Sequence, residues 1–333
     1  MPLPEQGVSP AMPEAEEGMW RWLEEYALVP DDAVRQHLVR TRPHYTVACY
    51  YPRLDVKRLT YLAQYTAWAF IVDDMFDDSI STGDERAVRV FADDLIGAAL
   101  QERDPSTACG RALRDLLGRM SAGRTPHWRH LLGDSQERWL ATYPKEVRHS
   151  VQARPMHFND YIPHRRWGTD ELFYILMEEY ARGIELTAEI RGLPALASAR
   201  ERALEWIGLY NDIVSAEKEE SVGYLHNGVI IVREHRKCLM QEAVDAIDAV
   251  LTGLMGQFLA ACDAVPAQVR AVVGDDPGAA AAAALAVEGY RDLVRGNYDY
   301  HRDTARYVDA LDYIPRAQTE GLLPNWCHPT LLR

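Results

Sequence analysis

Two clusters of oxygen-bearing side chains follow apolar, helix-forming stretches of the sequence. The first cluster is the acidic run 73–78, which comes directly after the apolar segment 65–72. On a helix Asp73 and Asp77 share a face because they are four residues apart, whereas Asp74 lies about 100° around the axis. Buried carboxylates are costly unless they are paired or bind a metal. Asp73, followed by Asp74 and Asp77, is therefore predicted to bind a divalent cation that prefers oxygen ligands, such as Mg²⁺.

A pair of aspartates alone does not identify a metal site. The chain has further pairs at 31–32, 93–94 and 275–276, and the alternative interpretation of the run 73–78 is a solvated acidic helix end. Its position after an apolar, aromatic segment favours the metal site.

The second cluster is formed by Asn211, Ser215 and Glu219. Their spacing of four residues places an amide, a hydroxyl and a carboxylate along one stripe of a helix, where they can chelate a single Mg²⁺. The alternative interpretation is a helix end of mixed charge. Asn and Ser are poor choices for a helix interior, so their presence on an apolar helix favours a ligand role.

Composition limits the classes of partner. The 333 residues carry a formal net charge of −14, which argues against nucleic acid because phosphate backbones require clustered Lys and Arg. A small anionic substrate is compatible with this charge if metal ions supply the positive charge. The five cysteines are scattered without a C-x-x-C pair, which predicts free thiols and a cytoplasmic location. Since no apolar run approaches ~20 residues, stable membrane insertion is not expected.

Helical periodicity dominates the chain, and no alternating pattern demands a sheet. We therefore predict an all-α protein with one domain over residues 19–333, preceded by a disordered, acidic and proline-rich tail over residues 1–18. The predicted helices are 19–26, 54–72, 86–101, 109–120, 128–150, 169–191, 198–219, 229–265, 279–296 and 298–307.

With these two clusters in this order, the chain resembles the class I terpene synthases of the bacterial terpene cyclase type over residues 45–307. The resemblance implies a single-domain helical bundle with the active-site cavity at its centre. It also implies that the two clusters flank the cavity mouth and bind three Mg²⁺ ions and the diphosphate of a linear isoprenoid. The implied metal ligands are Asp73, Asp74, Asp77, Asn211, Ser215 and Glu219.

Further positions carry the resemblance. Arg165, preferred over Arg166, matches the family's diphosphate-sensing arginine, and Lys218 matches a lysine that contacts diphosphate. Arg306 and Tyr307 match an Arg-Tyr pair that bonds to diphosphate when the site closes. The usual lead-in to that pair, Gly-Asn-x-x-Trp, has Tyr300 at the Trp position. The family also implies a helix break near residues 168–169 whose dipoles guide ionisation.

The implied reaction ionises an isoprenyl diphosphate to an allylic cation that cyclises in a dry pocket walled by aromatic rings. Farnesyl diphosphate is the expected substrate, and geranylgeranyl diphosphate, acted on by a diterpene cyclase, is the alternative. A prenyl transferase and a non-catalytic helical interaction protein rank lower, and a monomer or homodimer is expected. Seven aromatic residues are wall candidates, and Phe70, Phe173 and Tyr210 rank first among them: Tyr45, Trp68, Phe70, Phe173, Trp206, Tyr210 and Tyr300.

Overall fold

A computed structural model describes residues 1–151, 155–221 and 223–304. Within these ranges the chain forms fifteen α-helices and no strand, which confirms the predicted all-α class. The helices are α1 (Met12–Glu25), α2 (Asp32–Thr41), α3 (Pro43–Tyr50), α4 (Val56–Thr82), α5 (Glu85–Ala99), α6 (Ala108–Met120), α7 (Pro126–Leu140), α8 (Tyr143–Val151), α9 (Phe158–Gly168), α10 (Glu171–Arg182), α11 (Ala188–Arg191), α12 (Pro194–Ser221), α13 (Gly228–Arg236), α14 (Met240–Val273) and α15 (Pro277–Asp303).

Two long helices organise the packing. Helix α12 packs against α9, α13, α14 and α15, and α4 packs against α1, α3, α6 and α8. Helix α15 contacts both α3 and α12, so it joins the two groups. A central cavity is enclosed mainly by α3, α4, α10, α12 and α15.

Helix α4 continues past residue 72, where the sequence predicted its end. The turn that contains Phe76 packs into the core, because this side chain is fully buried and its ring stacks on Tyr143 at 3.9 Å between centroids. Further back, the Trp68 indole N–H donates to the carbonyl oxygen of Cys109 at 3.0 Å. The first residues of the acidic run therefore lie within a packed helix and not at its frayed end.

A break separates α9 from α10 in the middle of the bundle. Helix α9 ends at Gly168, and Asp170 adopts a positive φ of 57° before α10 begins at Glu171. A non-glycine residue in this region is unfavourable unless its surroundings hold it. Here the Tyr65 hydroxyl donates to Asp170 Oδ2 at 2.7 Å, so the core holds the break.

Helix α15 is continuous where the sequence predicted an interruption near residue 297. Gly296 does not break the helix; it allows close contact with α3. A Cβ at this position would lie 2.5 Å from the carbonyl oxygen of Cys49. The glycine is therefore explained by the approach of two backbones.

Three other predicted helices are divided in the structure. The segment 169–191 becomes α10 and α11 because Gly183 adopts a left-handed φ of 66°, which ends a helix readily. The segment 229–265 is divided between α13 and α14, with Lys237 at a φ of 53°. The segment 128–150 lies in α7 and α8.

The expectation of a disordered tail over residues 1–18 is wrong. Helix α1 begins at Met12, and Leu3 is buried with 5% of its surface exposed. The Gln6 side-chain amide donates to the carbonyl oxygens of Cys49 (2.8 Å) and Asp292 (2.7 Å). Although the segment is acidic and proline-rich, a few of its apolar side chains are buried against the helical bundle.

Among the described helices, α14 alone is long and apolar enough to cross a membrane by length and composition. This criterion is also met by the core helices of many proteins, and α14 packs along α12, α13 and α15. The finding therefore gives no support to a membrane span.

Candidate active site

Side chains from both predicted clusters line one central cavity. Its open space, including the solvent at its mouth, is about 920 Å³. Asp73 lies on the α4 side, and Asn211, Lys218 and Glu219 lie on the α12 side. The two clusters, far apart in sequence, therefore line the same cavity, and they are called its α4 rim and its α12 rim.

On the α4 rim, two neighbouring aspartates have different surroundings. Asp73 lines the cavity, and the Tyr143 hydroxyl donates to its Oδ1 at 2.7 Å. Asp74 points around the helix, where its Oδ2 lies 2.7 Å from His37 Nε2 and its Oδ1 lies 3.9 Å from Lys218 Nζ. The geometry thus distinguishes Asp73, which lines the cavity, from Asp74, which contacts two basic side chains.

On the α12 rim, Asn211 and Glu219 line the cavity, while Ser215 is fully buried on the same stripe. The side-chain amide of Asn227 donates to Glu219 Oε2 at 2.9 Å and to Ser215 Oγ at 3.3 Å. Burial raises the pKa of Glu219 to about 7. Asn227 also caps α13 by accepting from the Val229 N–H at 2.8 Å. It was not predicted from the sequence, where it resembles an ordinary helix cap.

Arg165 reaches the α12 rim from α9. Its Nη2 donates to Asn211 Oδ1 at 2.7 Å and forms an ion pair with Asp212 Oδ1 at 2.8 Å. Although burial lowers the pKa of the guanidinium, Asp212 and neighbouring acidic groups raise it well above its ordinary value. Asp212 is fully buried, and its Oδ2 accepts from the Tyr161 hydroxyl and the Gly228 N–H, both at 2.8 Å. Arg165 is therefore a permanent buried cation at the cavity edge.

Only two of the predicted wall residues line the cavity. Phe70 and Tyr300 do so, with ring centroids 6.5 Å apart. Phe173 is fully buried and stacks on Tyr65 at 3.5 Å, so its predicted place in the wall is wrong. Tyr210 likewise stacks away from the lining, between Trp206 (5.0 Å) and Tyr298 (5.4 Å).

The remaining wall candidates, Tyr45, Trp68 and Trp206, are also absent from the lining, which instead includes Tyr50, Trp139 and Tyr174. For Phe173, the reason lies in the break between α9 and α10. Because α10 begins at Glu171, Glu171 and Tyr174 share the face toward the cavity. Phe173 is turned into the core, and this register depends on where the break falls.

Two acidic residues beside the break were also missed. Burial raises the pKa of Glu171 to about 8, and burial raises the pKa of Asp170 well above its ordinary value. Glu171 Oε1 accepts a hydrogen bond from the Tyr50 hydroxyl at 3.3 Å. The adjacent acidic pair ahead of an apolar helix was the available signal.

Three predicted site groups lie outside the described part of the chain, namely Arg306, Tyr307 and the side chain of Asp77. Their roles stay predictions.

The donor set fits a hard divalent cation. Asp73 and Glu219 supply carboxylate oxygens, and the amide oxygen of Asn211 has a second lone pair beside the one that accepts from Arg165. No group of three His, Cys, Asp or Glu side chains converges among the described residues. Donors divided between two rims suit Mg²⁺, which is usually bound by one or two carboxylates together with substrate phosphates.

Comparison with known proteins agrees with this geometry. Residues 64–257 match the family described as terpene synthase family 2, C-terminal metal binding. The chain is 29% identical to (2Z,6E)-hedycaryol synthase from Kitasatospora setae over 76% of this chain and 75% of that protein. It is 26% identical to pentalenene synthase from Streptomyces arenae, over 97% and 95% of the two chains.

A solved structure of wild-type cucumene synthase matches with a TM-score of 0.79 and 25% identity, covering 91% of this chain and 99% of that one. A structure of hedycaryol synthase in complex with HEPES gives a TM-score of 0.81 and 25% identity over 91% and 96% of the two chains. The chain therefore belongs to terpene synthase family 2 and is a terpene synthase, a lyase with the single-domain class I fold.

Proposed function

We propose that this enzyme is a Mg²⁺-dependent cyclase that ionises farnesyl diphosphate and closes the fifteen-carbon chain into a sesquiterpene, releasing diphosphate. The observation that carries the proposal is the meeting of two oxygen-bearing rims over one partly aromatic cavity. One relative, from Streptomyces viridochromogenes, is named 7-epi-alpha-eudesmol synthase ((2E,6E)-farnesyl diphosphate cyclizing). Its name supports a fifteen-carbon substrate.

In this proposal Asp73, Asn211, Ser215 and Glu219 hold Mg²⁺, and three ions are expected. Bound Mg²⁺ would supply Lewis-acid stabilisation of the negative charge on the leaving diphosphate. Asp74 is a weaker candidate, because its carboxylate already contacts His37 and Lys218.

Arg165 and Lys218 are the basic side chains of the described cavity lining that would face the diphosphate. Arg165 is held by Asp212 at 2.8 Å, whereas Lys218 Nζ lies 3.9 Å from the nearest Asp74 oxygen. Arg165 is therefore preorganised before the substrate enters, which is how electrostatic stabilisation is most effective.

Phe70 and Tyr300 belong to the cavity lining, and in this proposal their rings contact the hydrocarbon. Aromatic faces stabilise cations by ~0.5–2 kcal/mol each. The helix break near Thr169 lines the same cavity, and we expect its carbonyl dipoles to act on the cation. We also propose that the reaction takes place in the cytoplasm.

The test is incubation of the purified protein with geranyl, farnesyl and geranylgeranyl diphosphates, with and without Mg²⁺, followed by mass spectrometry. We expect cyclic fifteen-carbon products that disappear when a chelator removes the metal. A preference for the twenty-carbon substrate would instead favour a diterpene cyclase. Undiminished cyclisation in the presence of chelator would contradict metal dependence.

Asp73→Ala and Asn211→Ala should abolish turnover while the fold is retained, because each removes a proposed metal ligand. Asp275→Ala is the matched control, since it removes an exposed aspartate that is not part of the cavity lining. Normal product yield from Asp73→Ala or Asn211→Ala would contradict the ligand assignment.

A further inference from the structure

The side-chain amide of Asn211 is held between two partners from different helices. On one side Arg165 Nη2 lies 2.7 Å from Oδ1. On the other side His301 Nε2, on α15, lies 3.1 Å from Nδ2. The His301 ring continues the series, since its Nδ1 lies 2.8 Å from the carbonyl oxygen of Asn297.

The chemistry of the two ends determines every donor and acceptor in this series. A guanidinium can only donate, so the Asn211 atom that faces Arg165 must be the oxygen. The amide NH₂ then faces His301, whose Nε2 must accept. At the far end the Asn297 carbonyl can only accept, so His301 Nδ1 must carry the proton. Three hydrogen bonds therefore run in one direction, from Arg165 through Asn211 and His301 to the backbone of α15.

The imidazole ring has little freedom to leave this arrangement. His301 is buried, with 9% of its surface exposed, and its ring packs edge-on against Tyr300 (5.1 Å, 73°) and Tyr210 (5.7 Å, 80°). The bond to Asn297, one turn back on the same helix, holds the second ring nitrogen. The Nε2 lone pair is thus a stationary acceptor for the Asn211 amide.

An asparagine can serve a cation only through its oxygen, and a rotation of its amide by half a turn would present two N–H donors instead. We propose that His301 is a positioning residue that acts together with Arg165 to hold the Asn211 amide with its oxygen at the metal site. The inference rests on the proposed function, because it requires Asn211 to be a ligand. Partners that orient ligands in this way commonly change metal affinity by 10–100-fold when they are removed.

The experiment measures binding of inorganic pyrophosphate by the full-length protein at a fixed MgCl₂ concentration, by calorimetry and without turnover. His301→Phe keeps a ring of similar size but cannot accept a hydrogen bond, and it should weaken binding by roughly 10–100-fold. In His301→Gln the side-chain oxygen can take the place of Nε2, so we expect a loss of less than about 3-fold. The melting temperature of each free protein controls for folding.

The same comparison in an Asn211→Asp background separates positioning from packing. A carboxylate presents an oxygen whichever way it is turned. In that background His301→Phe should therefore weaken pyrophosphate binding by less than about 3-fold. Wild-type affinity in His301→Phe, or equal losses in both backgrounds, would overturn the inference. If Asn211→Asp binds too weakly to measure, equal losses in His301→Phe and His301→Gln would overturn it. Failure of the wild-type protein to bind pyrophosphate with Mg²⁺ would contradict the proposed function itself.

Discussion

The buried ion pair between Arg165 and Asp212 gives the sharpest prediction about stability. Asp212 is fully buried and the Arg165 side chain is 11% exposed, so water compensates little for the loss of either charge. Asp212→Asn keeps the shape of the side chain but leaves the guanidinium without its counter-ion and turns an amide donor or a neutral oxygen toward it. Breaking such a pair costs about 3–5 kcal/mol, which for a chain of this size corresponds to a melting temperature lower by about 4–7 °C.

The matched control is Asp263→Asn, which breaks the ion pair with Arg291 at 2.9 Å. There the two side chains are 75% and 39% exposed, so water screens the pair and the expected cost is about 0–1 kcal/mol. Urea unfolding followed by circular dichroism gives both free energies of unfolding. If Asp212→Asn were no less stable than Asp263→Asn, the buried carboxylate would not be the counter-ion of Arg165.

Three further outcomes follow from the packing and the titrating groups. Gly296→Ala should lower the free energy of unfolding by about 1–3 kcal/mol, because the added Cβ would lie 2.5 Å from a backbone carbonyl oxygen of α3. Gly256→Ala is the control: its Cβ would have no atom within 4 Å, so it should stabilise its helix by about 0.5–1 kcal/mol. Equal effects of the two substitutions in urea unfolding would refute the close-contact explanation. Phe70→Ala should alter the product pattern in mass spectrometry, while Phe173→Ala, in the core, should chiefly lower the free energy of unfolding, by about 3–5 kcal/mol. If Phe173→Ala changed the products and Phe70→Ala did not, the described cavity wall would be contradicted. Although burial opposes it, hydrogen bonds and nearby histidines lower the pKa of Glu146 from 4.5 to about 2. The resulting stabilisation of the folded protein, about 3 kcal/mol, is present above pH 4.5 and is lost as the pH falls toward 2. The difference in free energy of unfolding between the wild type and Glu146→Gln should therefore shrink across that range. A difference that stays constant with pH would contradict this role of the Glu146 carboxylate.

The two oxygen-bearing clusters show what local sequence can predict. Asn211, Ser215 and Glu219 share a stripe because helical spacing alone places residues four apart on one face. The helical class and the family were accessible for the same reason, since periodicity and short motifs are local properties. Arg165 could be found only through the resemblance, and the structure places it 2.7 Å from Asn211.

The wall of the cavity shows where such prediction fails. Phe173 and Tyr174 are neighbours with similar propensities, yet only Tyr174 lines the cavity. The difference depends on the break at Asp170, which the Tyr65 hydroxyl holds from another helix. In the same way, Asp74 contacts His37, which lies on α2, and no spacing within the acidic run could reveal this contact.

The sequence by itself determined the all-α class, the two oxygen-bearing stripes and the class of enzyme, because these follow from periodicity and short motifs along the chain. Only the tertiary structure determined which rings surround the cavity, which aspartate faces it, and that His301 contacts Asn211. Those features depend on how faces of distant helices meet, and the close approach of Gly296 to α3 is one of the contacts that set the distance between them.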